Sequence, residues 1–377
     1  MDVFITKSPS FATMPALRIT LTVTNDLTYD QRMQRICRSL SGAGYEVKLV
    51  GRVRADSKPL DKKSYQQVRL HCLFDKGKLF YLEYNLRLFF YLLFHQANII
   101  CAIDLDTIVG CYYAAKSKGA KIVYDAHEYF PEVPEVVRRP RIQRVWQWVE
   151  RSYVPRMDAI YTVTQSIADI FAKNYNKKVN TIRNLPYRQG TTSLKKTDTK
   201  YILYQGALNE GRGLEHLIEA MTDLDIELWL AGDGDITKQL KEQVKSLSLE
   251  HKVRFTGYVK PDELKDITAH AYIGINLLEM KGLSYYYSLA NKFLDYIQAG
   301  VPQVCIDFPE YRKINDEYNV ALLVENLEKE TIKSAIGHLI ADKDLYLILK
   351  ENCLVCSREL TWENEEKKLI ALYEQLH

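Results

Sequence analysis

The 377-residue sequence contains no apolar run long enough to cross a bilayer. Its longest, residues 79–94 (LFYLEYNLRLFFYLLF), is interrupted by Glu83 and Arg87. That segment predicts a helix packed on a sheet, with contact at a membrane surface as the sharper alternative. Cysteine is scarce: seven residues, odd in number and scattered along the chain. This argues against a disulfide framework and for reduced thiols in a cytosol. Residues 1–16 show neither the charged segment nor the continuous apolar stretch of a secretory leader, so none is expected. Glycine is missing where a dinucleotide-binding domain at the head of the chain needs it. The first apolar strand, residues 18–23 (RITLTV), runs into TNDLTYDQR without one. Lacking a Gly-x-Gly-x-x-Gly turn there, the chain is a poor candidate for a plain dinucleotide dehydrogenase.

What is present is ample core. Hydrophobic residues make up 47% and charged residues 26%, the proportions of a soluble globular chain, and the length predicts two domains. The net charge of +3 conceals an asymmetry. Residues 1–190 carry 29 Lys and Arg against 17 Asp and Glu, and residues 191–377 carry 22 against 31. A basic half suits an anionic surface. The expected partner is an anionic membrane, reversibly bound through Lys76, Lys78, Arg87 and the arginines of 138–144, with residues 79–94 contributing. Nucleic acid is not expected as a partner.

Short apolar strands alternate with helical stretches at residues 18–23, 46–50, 99–103, 121–124 and 159–163. After residues 186–200 (PYRQGTTSLKKTDTK), the same grammar restarts at 201–204, 226–230, 253–255, 273–275 and 303–306. The pattern predicts an α/β protein of two Rossmann-like, doubly wound domains facing each other across a cleft, with ligand at the carboxyl ends of the strands. The expected divisions are a domain at 1–187, a linker at 188–200, a domain at 201–360, and a helix at 361–377 packing back on the first domain.

The second domain opens with YQGALNEGRGLEHLIEA (204–220). Gly206, Gly211 and Gly213, between an apolar run and an amphipathic one, let a main chain approach phosphate closely. Arg212 in the same loop is a permanent cation able to grip two phosphate oxygens at once. A second helix, starting near Leu289, Ala290 and Asn291, offers free N–H groups and a positive dipole end, and Lys292 adds charge. Donors and fixed charge gathered in this way suit a phosphate-bearing ligand. In the first half, YDAHE (124–128) directly follows a strand, which places His127 at a carboxyl edge, with Asp125 and Glu128 as weaker candidates.

Together with LAGDGD (230–235), VRFTGYV (253–259) and SLANKFLDYIQAGVPQV (288–304), these stretches resemble the retaining glycosyltransferases of family four, which have the GT-B fold. The resemblance implies transfer of a hexosyl unit from a nucleotide-diphosphate sugar, UDP- or GDP-linked, to a saccharide or lipid-linked acceptor, with retention of configuration. It implies no resident cofactor and no metal. It places the donor on Gly206, Ala207, Arg212, Gly213, Gly232, Tyr258, Val259, Tyr287, Leu289, Ala290, Asn291, Lys292 and Asp295, and His127 beside the transferred sugar or the acceptor. Two positions depart from the family pattern. Ala207 stands where an arginine usually follows the first glycine. The Glu-x7-Glu pair becomes Tyr287 and Asp295, of which only Asp295 is a carboxylate able to take ribose hydroxyls, so the donor sugar stays open.

Some features point elsewhere. Asp104-Leu105-Asp106 imitates the metal-binding Asp-x-Asp of the other glycosyltransferase fold, in a domain of different grammar. Cys353 and Cys356 lack the second pair of a zinc site. Residues 285–287 are three tyrosines that could stack a base or sugar, or serve as wall. Residues 129–144, with three prolines and four arginines, read as a mobile acceptor-side loop. Two other activities share the fold: a nucleotide-sugar 2-epimerase, and an inactive nucleotide-sugar-binding module. A cytoplasmic location is expected, with peripheral attachment to the inner face of the membrane as its extension.

Overall fold

In a computed structural model of the chain, residues 16–188 and 200–376 are described. The expected leaderless terminus (1–15) and nearly all of the expected linker (189–199) lie outside the described residues. The chain divides into two compact units, residues 1–102 with 106–123, and residues 103–105 with 124–377.

The strands of the first sheet are β1 (Arg18–Thr22), β2 (Glu46–Arg52), β3 (Gln66–Leu70), β4 (Ile99–Ile103), β5 (Lys121–Ala126), β6 (Ala159–Thr162) and β7 (Asn180–Thr181), in the order β3-β2-β1-β4-β5-β6-β7. The second sheet holds β8 (Tyr201–Gln205), β9 (Glu227–Ala231), β10 (Val253–Gly257), β11 (Ile273–Asn276), β12 (Gln303–Ile306) and β13 (Ala321–Val324), in the order β10-β9-β8-β11-β12-β13. All five pairings of the second sheet are parallel. The order of the second sheet repeats that of the first six strands. Each sheet therefore reverses direction beside its first strand, the place where doubly wound folds hold ligand.

Local chemistry explains these elements. β4 (IICAI) and β8 (YILYQ) are buried at every position, as parallel strands covered on both faces must be. Helix Gln31–Gly42 starts at Asp30, whose carboxylate accepts the Met33 N–H at 3.0 Å, and buries Met33, Ile36, Cys37 and Leu40 along one face. Cys353 and Cys356 lie buried in helix Lys343–Glu359. Burial pushes both thiols up, that of Cys356 to about 12, so they serve the core.

Three sequence expectations change. β3, β7 and β13 are additional strands: β3 is a polar edge strand, and the other two are four residues or fewer. Residues 129–144 form ordered structure instead of a loop: a turn of 3-10 helix at Phe130–Glu132, helix Pro134–Val137 and the start of helix Pro140–Tyr153. Its prolines sit at helix starts, where a missing N–H goes unused, and Pro131, Val133, Pro134 and Val136 are buried. Finally, helix Gly77–Phe94 buries Phe80, Tyr84, Leu88 and Leu92 fully and leaves its opposite apolar face exposed.

Candidate functional site: the glycine loops and the His127 pair

β8 ends at Gln205, and the chain then turns through residues 206–213 into helix Leu214–Ala220. This loop interlocks with the one that follows β9. The Gly206 N–H donates to Ala231 O at 2.9 Å, and the Leu208 N–H to Asp233 O at 3.1 Å. A Cβ on Gly232 would lie 1.9 Å from Gly206 O, and one on Gly234 would lie 2.5 Å from Leu208 O. The glycines of LAGDGD are therefore required by backbone contact with the first loop. Gly213 has φ +65° and its Cβ would press on Leu277 at 2.8 Å, so the turn into the helix also needs glycine.

Among the described residues, two cations at this loop have no acid within ion-pair distance. Lys292, in the first turn of helix Asn291–Gln298, is 8% exposed, and its Nζ lies 3.5 Å from the centre of the Tyr204 ring. Burial, followed by the repulsion of Arg212, holds its ammonium well below the usual lysine value, against the pull of Asp295. The half-buried Arg212 lies over the Tyr285 ring at 4.8 Å, and its Nε is buried without a hydrogen-bond partner. Tyr204 also donates its hydroxyl to Ala207 O at 2.8 Å, pinning the start of the loop. Gln205 donates to Asp295 Oδ2 at 2.8 Å and accepts from Thr268 at 2.6 Å, which fixes the carboxylate.

The other expected positions are placed as follows. Ala290 caps the helix that carries Lys292, but its N–H donates to Tyr311 Oη at 3.2 Å. One donor expected to be open there is thus already engaged, because the buried Tyr311 reaches it. The Asn291 side chain accepts from Asn184 at 2.9 Å, and Leu289 packs on the second-sheet core. Tyr258 is 71% exposed, whereas Val259 packs against the buried cluster that includes Tyr201 and Ala231. Tyr287 ends helix Leu283–Tyr286, its ring edge-on to Tyr286 at 4.9 Å.

At the end of β5, His127 Nε2 lies 3.0 Å from Oδ2 of the fully buried Asp125, and Glu128 is half-buried next in sequence. Asp104, at the end of β4 with φ +56°, accepts the His127 N–H at 2.9 Å and donates its own N–H to Asp125 O at 2.9 Å. It positions the histidine, a role the Asp-x-Asp reading missed. Adjacency of two strand ends was the signal available for it. Residues 129–144 link this pair to the glycine loop: Arg138 meets Glu210 at 3.0 Å, and a Cβ on Gly282 would lie 2.3 Å from Glu132 O. Glu210 also binds Lys281 at 2.6 Å. These two contacts, Lys281 first, lower its carboxyl below the usual range. Lys281 and Tyr311 lie outside every quoted stretch, and Tyr204 and Gln205 have no assigned role in theirs; their packing reveals all four. A separate cavity lined by Arg18, Glu46, Lys63 and Gln66 opens at the amino ends of β1 to β3 and holds none of these groups.

Two Rossmann-like domains, each a parallel sheet that reverses beside its first strand, make up the GT-B fold. Solved structures share that fold: sucrose-phosphate synthase from Thermosynechococcus elongatus, with TM-score 0.80, 16% identity and coverage of 96% of this chain and 99% of that one. Anabaena HepE, crystallised with UDP-glucose, aligns with TM-score 0.75 at 14% identity over 96% and 99% of the two chains. Family models match adjoining stretches, Glycosyltransferase Family 4 over residues 31–185 and Glycosyl transferases group 1 over residues 190–353. The chain belongs to the group 1, family 4 glycosyltransferases. It is 30% identical over 190 residues to mannosylfructose-phosphate synthase of Agrobacterium fabrum, covering 46% of this chain and 40% of that one. Matched stretches span 19% to 62% of the lengths of the curated relatives.

Proposed function

We propose that the chain transfers a hexosyl unit from a nucleotide-diphosphate sugar, UDP- or GDP-linked, to a saccharide or lipid-linked acceptor with retention of configuration. One observation carries this reading: two neighbouring cations, Arg212 and Lys292, meet at a glycine loop. Arg212 Nε is buried and unpartnered, and Lys292 rests on an aromatic face, with no carboxylate within ion-pair distance among the described residues. Buried donors and charges without partners are costly, and a diphosphate satisfies both cations at once. The glycines keep side chains out of its way, and the first turn of helix Asn291–Gln298 adds the dipole of its amino end. As leaving-group charge grows, fixed cations stabilise it without reorganising. His127, oriented by Asp125 and Asp104, acts on the sugar or acceptor. Asp295, held by Gln205, takes the ribose, and Tyr258, Val259 and Tyr287 form the wall around base and sugar.

The half comprising residues 1–187 takes the acceptor, and the half from 201 to 360 takes the donor. The protein works in the cytoplasm, attached peripherally to the inner face of an anionic membrane. Among the described residues no helix is long and apolar enough to cross one, and a basic first half with an acceptor on lipid phosphate suits that placement. The named activities of the structural neighbours, with UDP-glucose bound in one, support a nucleotide-sugar donor.

The test is incubation with a panel of nucleotide sugars, with and without acceptors, beside titration calorimetry of the free diphosphates. Acceptor-dependent nucleotide release is expected. Isomerised donor would establish an epimerase, and binding without turnover an inactive module. A charge-assisted hydrogen bond is worth about 1.5–3 kcal/mol, so Arg212→Ala should weaken nucleotide-diphosphate binding on the order of tenfold or more. Unchanged affinity in the folded variant removes Arg212 from the site.

A further inference from the structure

Helix Gly77–Phe94 is apolar on both sides, yet only one side is covered. Phe80, Tyr84, Leu88 and Leu92 are at most 4% exposed. Leu79, Leu82, Leu86, Phe90 and Phe94, spaced by three or four residues along the opposite side, are between 48% and 79% exposed. Such spacing keeps them on one stripe. The stripe is extended beyond the helix start by Leu73 and Phe74, 83% and 44% exposed. Their N–H groups both donate to the Glu83 carboxylate at 2.9 Å, tying that loop to the helix. A contiguous exposed patch of large apolar side chains marks a surface that binds something.

Charge decides what. The compact unit that carries the stripe, residues 1–102 with 106–123, holds 18 Lys and Arg against 9 Asp and Glu. Lys76 and Lys78 are exposed at the amino end of the helix. At the carboxyl end, the Lys118 ammonium donates to Leu93 O at 3.0 Å and His95 O at 2.8 Å, occupying the carbonyls left open there. Among the described residues, no unengaged acid interrupts the stripe. Glu83 is engaged by the Leu73 and Phe74 N–H groups and by Arg87 at 2.7 Å, and nearby Asp75 lies 3.6 Å from Arg52. A helix apolar on its outer side, basic at its end and set in a basic unit fits the boundary between anionic headgroups and acyl chains.

We propose that the exposed stripe of helix Gly77–Phe94, with Leu73 and Phe74, inserts into the interface of an anionic lipid bilayer, the helix lying in the membrane plane. This deepens the peripheral-membrane reading above: charge attracts the chain to the surface, and the apolar side chains hold it there.

Vesicle flotation of the full chain, without donor or acceptor, tests it on phosphatidylglycerol–phosphatidylcholine and on phosphatidylcholine alone, at low and high salt. The expected result is recovery on the anionic vesicles that survives high salt in substantial part. Leu86→Glu with Phe90→Glu should lower partitioning on the order of tenfold or more, with an unchanged thermal melt because both sites are solvent-exposed. The indole fluorescence introduced by Phe90→Trp should be quenched by brominated acyl chains. Partitioning of the double-Glu variant equal to wild type, or fluorescence of the Phe90→Trp variant blind to brominated lipid, overturns the proposal. So does a dimer in light scattering that the double variant abolishes while flotation is absent, since a second copy then covers the stripe. Nucleotide-diphosphate affinity, measured on the same double variant by calorimetry, should stay at the wild-type value. Failure of the donor reading would appear in that measurement, and failure of insertion in flotation.

Discussion

At the scale of single residues, Lys292 and His127 make separable predictions. Lys292 is held well below the usual lysine value, first by burial and then by Arg212. Its penalty on the fold is complete below the folded value and fades as pH rises towards the unfolded one, so this residue makes the unliganded protein more stable at higher pH. A diphosphate beside the ammonium raises its pKa again. Between the unliganded and liganded values, binding therefore takes up a proton, and affinity falls as pH rises. Calorimetry of nucleotide diphosphate in buffers of different ionisation enthalpy should show that uptake, and Lys292→Met should abolish it. Identical enthalpies in all buffers for the wild type would sink the assignment. His127, anchored through Asp125 and Asp104, should contribute more to the transition state than to donor binding. His127→Ala is then expected to lower turnover by a larger factor than it lowers donor affinity. Wild-type turnover in that variant would make this histidine structural.

At the scale of elements, legibility followed the strength of the local signal. β4, β8 and β12 were readable because a parallel strand covered on both faces is a near-continuous apolar run. β3 (QQVRL) was not, since an edge strand exposed on its open side keeps polar residues. Residues 129–144 were misread because proline both breaks helices and starts them. Which it does depends on whether the following apolar residues find a core, and Val133 and Val136 do. In the site, the cation of the glycine loop was visible as Arg212 beside three glycines. The supports were not, because Tyr204 beneath Lys292, Gln205 on Asp295 and Tyr311 on Ala290 act through contacts made only after the sheet assembles. Residues 79–94 were readable as a helix, but an apolar sequence on all sides gives no period from which to tell the covered face from the exposed one.

At the scale of the whole molecule, the last helix has more than a local role. Helix Lys343–Glu359 packs on helix Asn291–Gln298, where Gln298 donates to Ser357 O at 3.0 Å and Leu360 O at 3.1 Å. The chain then continues into helix Trp362–Glu374, which returns to the first sheet. There the Trp362 N–H donates to Pro186 O at 2.8 Å, Glu365 accepts the Arg183 N–H at 2.8 Å, and the Tyr373 ring meets Tyr161 of β6 at 6.5 Å. Residues 343–374 thus tie the helix bearing Lys292 to β6, the strand beside the one that leads to His127. Trp362 is completely buried, and truncating a buried aromatic costs about 3–5 kcal/mol through lost transfer and the cavity left behind. Trp362→Ala should therefore destabilise the protein by about that much in urea, with an unchanged midpoint slope if unfolding stays two-state. Because no atom of Trp362 is needed by the diphosphate, the folded fraction of the variant should bind nucleotide diphosphate as the wild type does. A loss below about 0.5 kcal/mol, the ordinary range for a surface substitution, would show that the returning helix is not anchored through this residue.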